Sequence, residues 1–458
     1  MTADAIRVAD HVAGVTLAAL PLAAVAAVKT FLLDTLGVGL AGAAGAQVGD
    51  LARLAASWGA ADEATVWLTG QRMSAASAAL VNAYQIHCLE YDCVHEAAVL
   101  HPMATILSAV LAFVEREAAQ GRRVAGADLI AAIAAGVDVA TLLGMAARAP
   151  IRFFRPATAG GFGAAAAIAR LRGMDRRGVL DTLGAQYAQA SGTLQPHAEG
   201  SPMLGMQVGF NAAAAIRSAD LAGAGFRGPH DWITGQYGYL PLFEGDFDLP
   251  PVLATLGQVW QITAMSHKPW PSGRLTHGVV DGLGQLMARH GFAPDAIAGI
   301  TAHVPPLVHR LVGRPDLADP EPNYAKLCLP YVAGVFLARG RVDVPEFRPP
   351  VLCDPAVHAH AAKVTVILDA NPDQNALDPQ TIVVTLVDGA RHAITLPHVY
   401  GHPAVPLTPD ENVAKFRRCL GFAPRAIPDA QADALIAAIA GLERLDDVAA
   451  LIPLLVAP

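Results

Sequence analysis

The residues best suited to chemistry lie close together in residues 82–102, NAYQIHCLEYDCVHEAAVLHP. The ionisable ones have near-helical spacing and are His87, Glu90, Asp92 and His95, followed after a loop by His101. Side chains three or four residues apart share a helix face, so a helix here would place His87 beside Glu90. It would also place Asp92 beside His95. Burying such groups is costly unless they are partnered or used. The stretch therefore predicts either proton-transfer chemistry or a hydrogen-bonded core network, and alone it leaves both open.

A second stretch, residues 152–171 (RFFRPATAGGFGAAAAIARL), puts three glycines ahead of an alanine-rich segment. The free amides at a helix N-terminus can hold an anion. Arg155 precedes the glycines and could bind a carboxylate in bidentate fashion. The same glycines would also suit two helices in close contact, with the arginines in solvent. The segment therefore predicts an anion-binding helix start or a tight helix packing.

A third stretch, residues 266–281 (SHKPWPSGRLTHGVVD), contains two prolines and a glycine that predict a rigid loop. The loop displays Lys268 and Arg274, and His277 follows at the start of the next predicted helix. A lysine held in a rigid loop at a domain junction suits carboxylate binding or proton transfer.

Composition narrows the classes of function. The net charge of −8 argues against a nucleic-acid partner, which requires a basic face. Five cysteines without a CxxC pair argue against a disulfide framework, a thiolate zinc site or an iron–sulfur cluster. The histidines lack the HxxxH spacing of a preformed metal site, so no metal is expected. The apolar run 12–28 contains a proline and is followed by charges, so we expect a cytoplasmic protein without a membrane segment.

The elements that must position these residues change character along the chain. Up to about residue 265 the pattern is helical, with apolar segments separated by Gly, Pro and short polar turns. Segments rich in Val, Ile and Thr then predict strands, including a hairpin over 381–396. We therefore predict a mainly α fold. A large all-helical domain would comprise residues 1–265 and 401–458, and a smaller α+β lid domain, 266–400, would be inserted between them.

Taken in order, the three stretches resemble the signatures of the MmgE/PrpD family. The first matches the pattern N-x4-H-x-L-D-Y-D-D-T-H followed by H-P, the second matches T-A-G-x-F-G-A-A, and the third matches K-P-Y-P-C-C-R-F-T-H-x-x-x-D. Later segments also fit, including AKLCLPYVAGVFLARGRV, which carries Tyr331, and ENVAKFRRCLGF. The resemblance extends from about residue 5 to residue 422.

The resemblance implies a homodimer that uses neither a metal nor an organic cofactor. It also implies an active site between the two domains that binds small di- or tricarboxylates. Carried over by position, Asp92, His101, Lys268 and Tyr331 would lie in that site. His101 or Lys268 would remove a proton next to a carboxylate, Asp92 would orient a histidine, and Tyr331 would donate a proton. The expected substrate-binding residues are Arg155, Arg274, Glu90, His95 and His277.

Several positions depart from the family pattern. Phe154 stands where the family's dehydratases and decarboxylases carry a histidine, and Leu204 stands in place of a lysine. The first aspartate of the family's D-Y-D-D run is Glu90. A lyase remains the first expectation, because most of the family are lyases. The alternatives are an epimerase or isomerase of a carboxylate or imino acid such as iminodisuccinate, and a non-catalytic carboxylate-binding protein. The sequence does not identify the substrate.

Overall fold

The computed structural model describes residues 2–458, and within them the fold is mainly α-helical. Apolar segments of helical period form eighteen α-helices in this part of the chain. They are α1 Ala3–Gly14, α2 Leu22–Gly42, α3 Val48–Ser57, α4 Ala75–His87, α5 Pro102–Ala119, α6 Gly126–Ala146, α7 Arg155–Leu171, α8 Arg176–Tyr187, α9 Gln195–Glu199, α10 Met203–Gly223, α11 Pro250–Ala254, α12 His277–His290, α13 Pro306–Val312, α14 Pro322–Lys326, α15 Leu329–Arg339, α16 Pro355–Ala361, α17 Pro409–Leu420 and α18 Asp429–Ala440.

The β-strands form two short pairs and one larger sheet. They are β1 Ala64–Thr65, β2 Arg72–Met73, β3 Val94–His95, β4 Met265–Ser266, β5 Ile297–Val304, β6 Val364–Leu368, β7 Gln380–Leu386 and β8 Arg391–Leu396. The larger sheet has the order β6-β5-β7-β8, with β5 and β6 parallel and the other pairs antiparallel. The predicted hairpin is confirmed: β7 and β8 are joined through the turn that contains Asp388 and Gly389.

Residues 2–458 contain three clusters of buried hydrophobic side chains, of which two are large. The larger core combines side chains from residues 5–265 with Phe416 and with residues 432–457 near the C-terminus. The second core lies mostly within residues 275–384, between the four-stranded sheet and helices such as α12 and α15. Phe416 of α17 lies so close to Gly37 of α2 that a Cβ on Gly37 would clash with its ring. The C-terminal part of the chain therefore packs against α2. The domain boundaries at 265/266 and 400/401 stay a prediction.

Two helices, α2 and α6, are long and apolar enough to span a membrane by length and composition alone. In α6 the most apolar window is 94% buried inside the protein, and in α2 it is 61% buried. A helix that is apolar on all sides and enclosed by others has the character of a core helix. The apolar composition of α6 thus explains why it is packed among other helices in the protein interior.

The polar stretch after α4 is not the helix that its spacing predicts. The helix that the spacing predicts in this stretch ends at His87, and Glu90 has a φ of 52°. A positive φ is unfavourable for a residue with a Cβ and is incompatible with a right-handed helix. His87 and Glu90 therefore meet through a turn. Asp92 and His95 share no helix face, because His95 lies in β3.

The glycines of the second stretch lie inside α7, which begins at Arg155 rather than at the glycines. The glycines therefore do not open the helix and instead allow close helix packing, while Arg155 is buried rather than in solvent. A Cβ on Gly163 would lie 2.5 Å from the carbonyl oxygen of Gly136 in α6, and a Cβ on Gly136 would lie 2.6 Å from the carbonyl oxygen of Gly163. The two helices approach closely because neither position carries a side chain.

Gly163→Ala should lower the free energy of unfolding by about 1–3 kcal/mol, because the new methyl group must push one backbone away from another. Chemical denaturation measures this change. Gly49→Ala is the matched control, since Gly49 lies in α3 with open space around its Cβ position. It should be neutral or slightly stabilising. Equal effects of the two variants would contradict the packing account.

Candidate active site

A short antiparallel strand pair brings the first and third polar stretches together. Val94 in β3 lies opposite Ser266 in β4, and Lys268 follows β4 directly. Glu90, which precedes β3, is thereby placed beside Lys268 although the two are 178 positions apart in the chain. Strand pairing, not helical spacing, assembles the site.

Five side chains, four of them buried and one partly exposed, then form a continuous series, here called the ion-pair chain: Lys268, Glu90, His87, Asp92 and the partly exposed His101. Lys268 Nζ lies 2.8 Å from Glu90 Oε2 and donates to the Glu90 carbonyl oxygen at 3.1 Å. Glu90 Oε1 lies 3.4 Å from His87 Nε2. His87 Nδ1 lies 2.9 Å from Asp92 Oδ2, and the same oxygen lies 3.3 Å from His101 Nδ1. Lys268 and His101 therefore occupy the two ends of one electrostatically coupled series.

The pKa values of the two carboxylates and of His87 reflect their neighbours. Burial would raise the pKa of Glu90, but the positive charges of Lys268, His87 and His101 together outweigh burial and lower it to about 2. Burial also opposes ionisation of Asp92, yet His87 and His101 hold its pKa well below the usual range. Burial lowers the pKa of His87, but the carboxylates of Asp92 and Glu90 outweigh it and raise that pKa. The middle of the chain therefore favours carboxylates flanking a cationic His87.

His101 behaves differently from His87. Burial and the Lys268 ammonium lower its pKa, and Asp92 only partly offsets them. A lowered pKa keeps the imidazole neutral at physiological pH, which is the state that a general base requires. The carboxylate of Asp92 only accepts hydrogen bonds, so it favours the tautomer with the proton on Nδ1. The lone pair is then on Nε2.

His101 lines a cavity with an empty volume of about 620 Å³. Its wall contains four polar residues, and the remainder is apolar apart from one glycine. The lining residues are Glu90, Val94, Val99, His101, Ile151, Phe154, Pro156, Leu194, His197, Leu204, Gly273, Arg274, Leu275, Leu311, Val312, Leu327 and Leu377. Lys268 is fully buried behind Glu90. His101, the member of the ion-pair chain suited to act as a base, therefore lies in a largely apolar cavity wall.

Arg155, expected to hold a substrate carboxylate, is already paired inside the protein. Its guanidinium binds Glu244 through Nε at 3.0 Å and Nη2 at 2.8 Å, and Nη1 donates to the Ala98 carbonyl oxygen at 3.1 Å. Glu244 comes from a π-helical turn, Leu240–Glu244, far along the chain. Arg155 is 1% exposed and does not line the cavity. The structure places this arginine against the protein's own carboxylate, and its role in substrate binding stays a prediction.

Arg155→Lys should lower the free energy of unfolding by about 1–3 kcal/mol, because an ammonium does not reproduce the forked contact with Glu244. Urea denaturation measures the loss. Arg152→Lys, an exchange at a nearby exposed position, should change stability little. A substrate-binding arginine would instead give a stable Arg155→Lys variant with weakened ligand binding.

Arg274 and His277 lie at the edge of the same region. Arg274 lines the cavity, but its Nε binds Glu96 at 2.8 Å and its terminal nitrogens donate to the carbonyl oxygens of Tyr400 and Val399. Burial and Arg274 hold the pKa of His277 well below its ordinary value. Arg274 is thus at the expected place, with its charge balanced by Glu96.

The remaining two expected residues lie away from the cavity. His95 accepts a hydrogen bond from the Ala98 amide, lies 3.1 Å from Gln261 Oε1, and has a pKa lowered by burial to about 4. Tyr331 is buried in the second core, where its hydroxyl lies 3.1 Å from the carbonyl oxygen of Glu346. The structure brings neither side chain to the cavity, because each is held by partners in the protein interior.

His197 lines the cavity and was missed from the sequence. It lies in the five-residue helix α9, and no other polar residue is spaced from it in a way that signals a site. Its Nδ1 lies 2.8 Å from Arg314 Nη2. A guanidinium only donates, so Nδ1 accepts and the proton of the neutral ring is on Nε2. Burial and Arg314 lower the pKa of His197 to about 4, which keeps this donor neutral.

Among residues 2–458, two clusters have side chains that could hold a metal ion. One consists of His87, Asp92 and His101, whose ligand atoms lie within 4.8 Å of one another. These atoms already pair with each other, and the nearby Lys268 ammonium would oppose a divalent cation. The other cluster consists of residues 378, 398 and 402 and does not line the cavity. The first cluster's geometry suits proton transfer better than metal binding.

Comparison with known proteins places this geometry in context. The family model described as the MmgE/PrpD N-terminal domain matches residues 6–251, and the MmgE/PrpD C-terminal domain matches residues 270–443. Cis-aconitate decarboxylase of Homo sapiens is 28% identical over 448 residues, covering 94% of this chain and 90% of the relative. The Mus musculus enzyme of that name is 25% identical, with coverages of 94% and 88%. Cis-aconitate decarboxylase-like protein oryM of Aspergillus oryzae is 26% identical, with coverages of 84% and 83%.

Proposed function

This chain belongs to the MmgE/PrpD family, and from that premise we propose that it is a cofactor-independent lyase of the dehydratase or decarboxylase type. Its substrate would be a small carboxylate with a removable proton next to the carboxylate group. The names of the relatives support a lyase, because they are cis-aconitate decarboxylases. The observation that carries the proposal is His101 at the wall of the cavity, backed by the carboxylate of Asp92, with burial and Lys268 lowering the pKa of the imidazole.

In the proposed reaction His101 Nε2 takes the proton from the carbon next to the carboxylate, and the C–H electron pair stays on the substrate. Asp92 stabilises the imidazolium that results, as a carboxylate behind a catalytic histidine does elsewhere. In a dehydration the electron pair then expels hydroxide, which leaves as water with the proton from His101. A decarboxylation needs no prior proton abstraction: the bond to CO2 breaks, its electron pair passes to the carbon skeleton, and a His101 imidazolium protonated from solvent gives its proton to the carbon that receives the pair.

Lys268 has the second role in this proposal. Its ammonium is bound to Glu90, so it is less suited than His101 to act as the base. Its positive charge lowers the pKa of His101, so its role is to keep the base neutral. Asp92 and Glu90 therefore act on His101 and Lys268, respectively, as positioning residues.

Incubation with a panel of small carboxylic acids in deuterated water tests the reaction type. NMR would follow deuterium at the acidic carbon, new alkene signals and CO2 release. Alkene formation or CO2 release that is lost in His101→Gln supports the lyase. Exchange without either product would instead indicate an epimerase. A ligand that binds with no exchange at all would indicate a non-catalytic carboxylate-binding protein.

We also propose that the protein acts as a cytoplasmic homodimer. Large apolar side chains on the surface support a subunit contact, among them Leu22, Tyr237 and Phe226, which are 88%, 70% and 64% exposed. Light scattering coupled to size-exclusion chromatography tests the stoichiometry. A monomer at micromolar concentration would contradict the proposed dimer.

A further inference from the structure

The cavity wall indicates what kind of substrate His101 meets. We propose that the substrate is a carboxylic acid carrying a hydrocarbon substituent, and that tricarboxylates bind poorly. This inference rests on the proposed function for the identity of the reacting carbon. Its support comes from the lining of the cavity and from the pairing of the charges around it.

The wall is mostly apolar. Twelve of the seventeen lining residues are Val, Leu, Ile, Phe or Pro. Phe154 and Leu204 are both buried, and the ring of Phe154 packs 5.6 Å from that of His87. Apolar walls favour ligands that bring apolar surface out of water, by about four-fold in affinity for each buried methylene.

The cations expected to hold carboxylates are already neutralised. Lys268 is bound to Glu90, Arg155 to Glu244 and Arg274 to Glu96, each with an N–O distance of 2.8 Å. A trianion entering this cavity would have to break one of these pairs or remain without counter-charges. Leaving an ionised carboxylate unpaired in an apolar setting is strongly unfavourable.

One polar corner is suited to a single carboxylate. His197 offers an Nε2 donor at the wall, because Arg314 occupies its Nδ1. Arg314 also donates to the carbonyl oxygens of His197 and Leu311, and it has no carboxylate partner among residues 2–458. Its positive charge is therefore available to polarise the His197 donor. We infer that one carboxylate of the substrate lies against His197 while the hydrocarbon part contacts residues such as Leu204.

Isothermal titration calorimetry with two sets of ligands tests the inference. One set is butanoate, hexanoate, octanoate and 3-phenylpropanoate, and the other is citrate, tricarballylate and cis-aconitate. The expected result is an affinity that rises about four-fold per methylene from butanoate to hexanoate. Tricarboxylates should bind at least about ten-fold more weakly than hexanoate. Tricarboxylate binding as tight as that of hexanoate, or no dependence on chain length, would overturn the inference.

Variants locate the preference in the cavity. Leu204→Lys should reverse the order, strengthening tricarboxylate binding and weakening hexanoate binding. Leu204→Met keeps the wall apolar and should retain the wild-type order, and Leu54→Lys adds the same charge at an exposed position outside the cavity. His197→Leu should weaken every monocarboxylate by a similar factor. A reversal by Leu54→Lys as well would show that net charge, not the cavity, sets the preference.

These binding measurements do not require turnover, so they separate the two proposals. Chain-length-dependent binding without deuterium exchange would support this substrate class and contradict the lyase. Exchange confined to tricarboxylates would support the lyase and contradict this substrate class. Melting temperatures measured beside each titration identify any variant that fails to fold. If Leu204→Lys fails, Leu204→Met is still compared with the wild type for its binding of hexanoate and citrate.

Discussion

His101→Gln is expected to lower kcat/KM by about 10²–10⁴-fold on any acid that the wild-type protein turns over. Glutamine keeps a polar group at the cavity wall but accepts no proton from carbon at neutral pH. Because His101 is 14% exposed by side chain and lies at the cavity rather than in a core, the variant should keep its melting temperature and ligand affinity. Steady-state kinetics and calorimetry on the same preparation check both statements.

The same base predicts the acid limb of the pH profile. Burial and Lys268 lower the pKa of His101 from its usual 6.5, so the base stays neutral below pH 6.5 and is lost as the pH falls through the lowered value. The acid limb of kcat/KM should therefore lie below pH 6.5. His290→Gln, at an exposed position on α12, is the control and should leave rate and profile unchanged. An equal loss of kcat/KM in His101→Gln and His290→Gln would show that His101 is not the base.

Glu90→Gln is expected to lower the free energy of unfolding at pH 7 by about 3–5 kcal/mol, because it leaves the buried Lys268 ammonium without its counter-charge. The Glu90 pKa is lowered from 4.5 to about 2, so its stabilising contribution is fully present above pH 4.5. The contribution is lost as the pH falls from 4.5 towards 2, where the wild-type side chain also becomes neutral. The stability difference between wild type and variant should shrink over that window.

Chemical denaturation at a series of pH values measures this difference. Asp248→Asn is the matched control, since Asp248 pairs with Arg148 at the surface, where both side chains are about half exposed. An exposed pair contributes about 0–1 kcal/mol, so this variant should be nearly neutral. A small, pH-independent effect of Glu90→Gln would show that the pairing of Glu90 with Lys268 does not stabilise the protein.

Much of the fold could be predicted from local patterns. Apolar period and turn residues predicted the mainly helical character of the chain up to about residue 265 and the β7–β8 hairpin within a residue or two. These elements form because short-range spacing matches one buried face. The composition also indicated the mainly α class, because long alanine-rich segments have few alternatives to helices.

The site was less predictable, since tertiary contacts set its geometry. The spacing of residues 87–95 suggested a helix, but the left-handed backbone at Glu90 ends it, and no residue type there announces that conformation. The partner of Arg155 is 89 positions away in a π-helical turn, so its neutralisation was invisible in the sequence. His197 reaches the cavity only through the packing of a short helix. Helical spacing reports on one element and does not report what another element places opposite it.

The family resemblance contributed what local patterns lacked. It placed His101, Asp92 and Lys268 in one site, and the structure joins all three in the ion-pair chain. It gave no means of seeing that the surrounding cations are paired with Glu90, Glu244 and Glu96. Those carboxylates balance the positive charges that were expected to bind the substrate. The cavity that remains has a mostly apolar wall.

The most direct test that His101 is the neutral base is an NMR titration of the histidine side chains. The variants His101→Gln and His87→Gln assign the two signals. The pKa of His87 is expected to lie above 6.5, because carboxylates flank it. The pKa of His101 is expected to lie below 6.5, because burial and the Lys268 ammonium oppose its protonation. A pKa of His101 above 6.5, or above that of His87, would contradict the claim that this residue is the neutral base of the site.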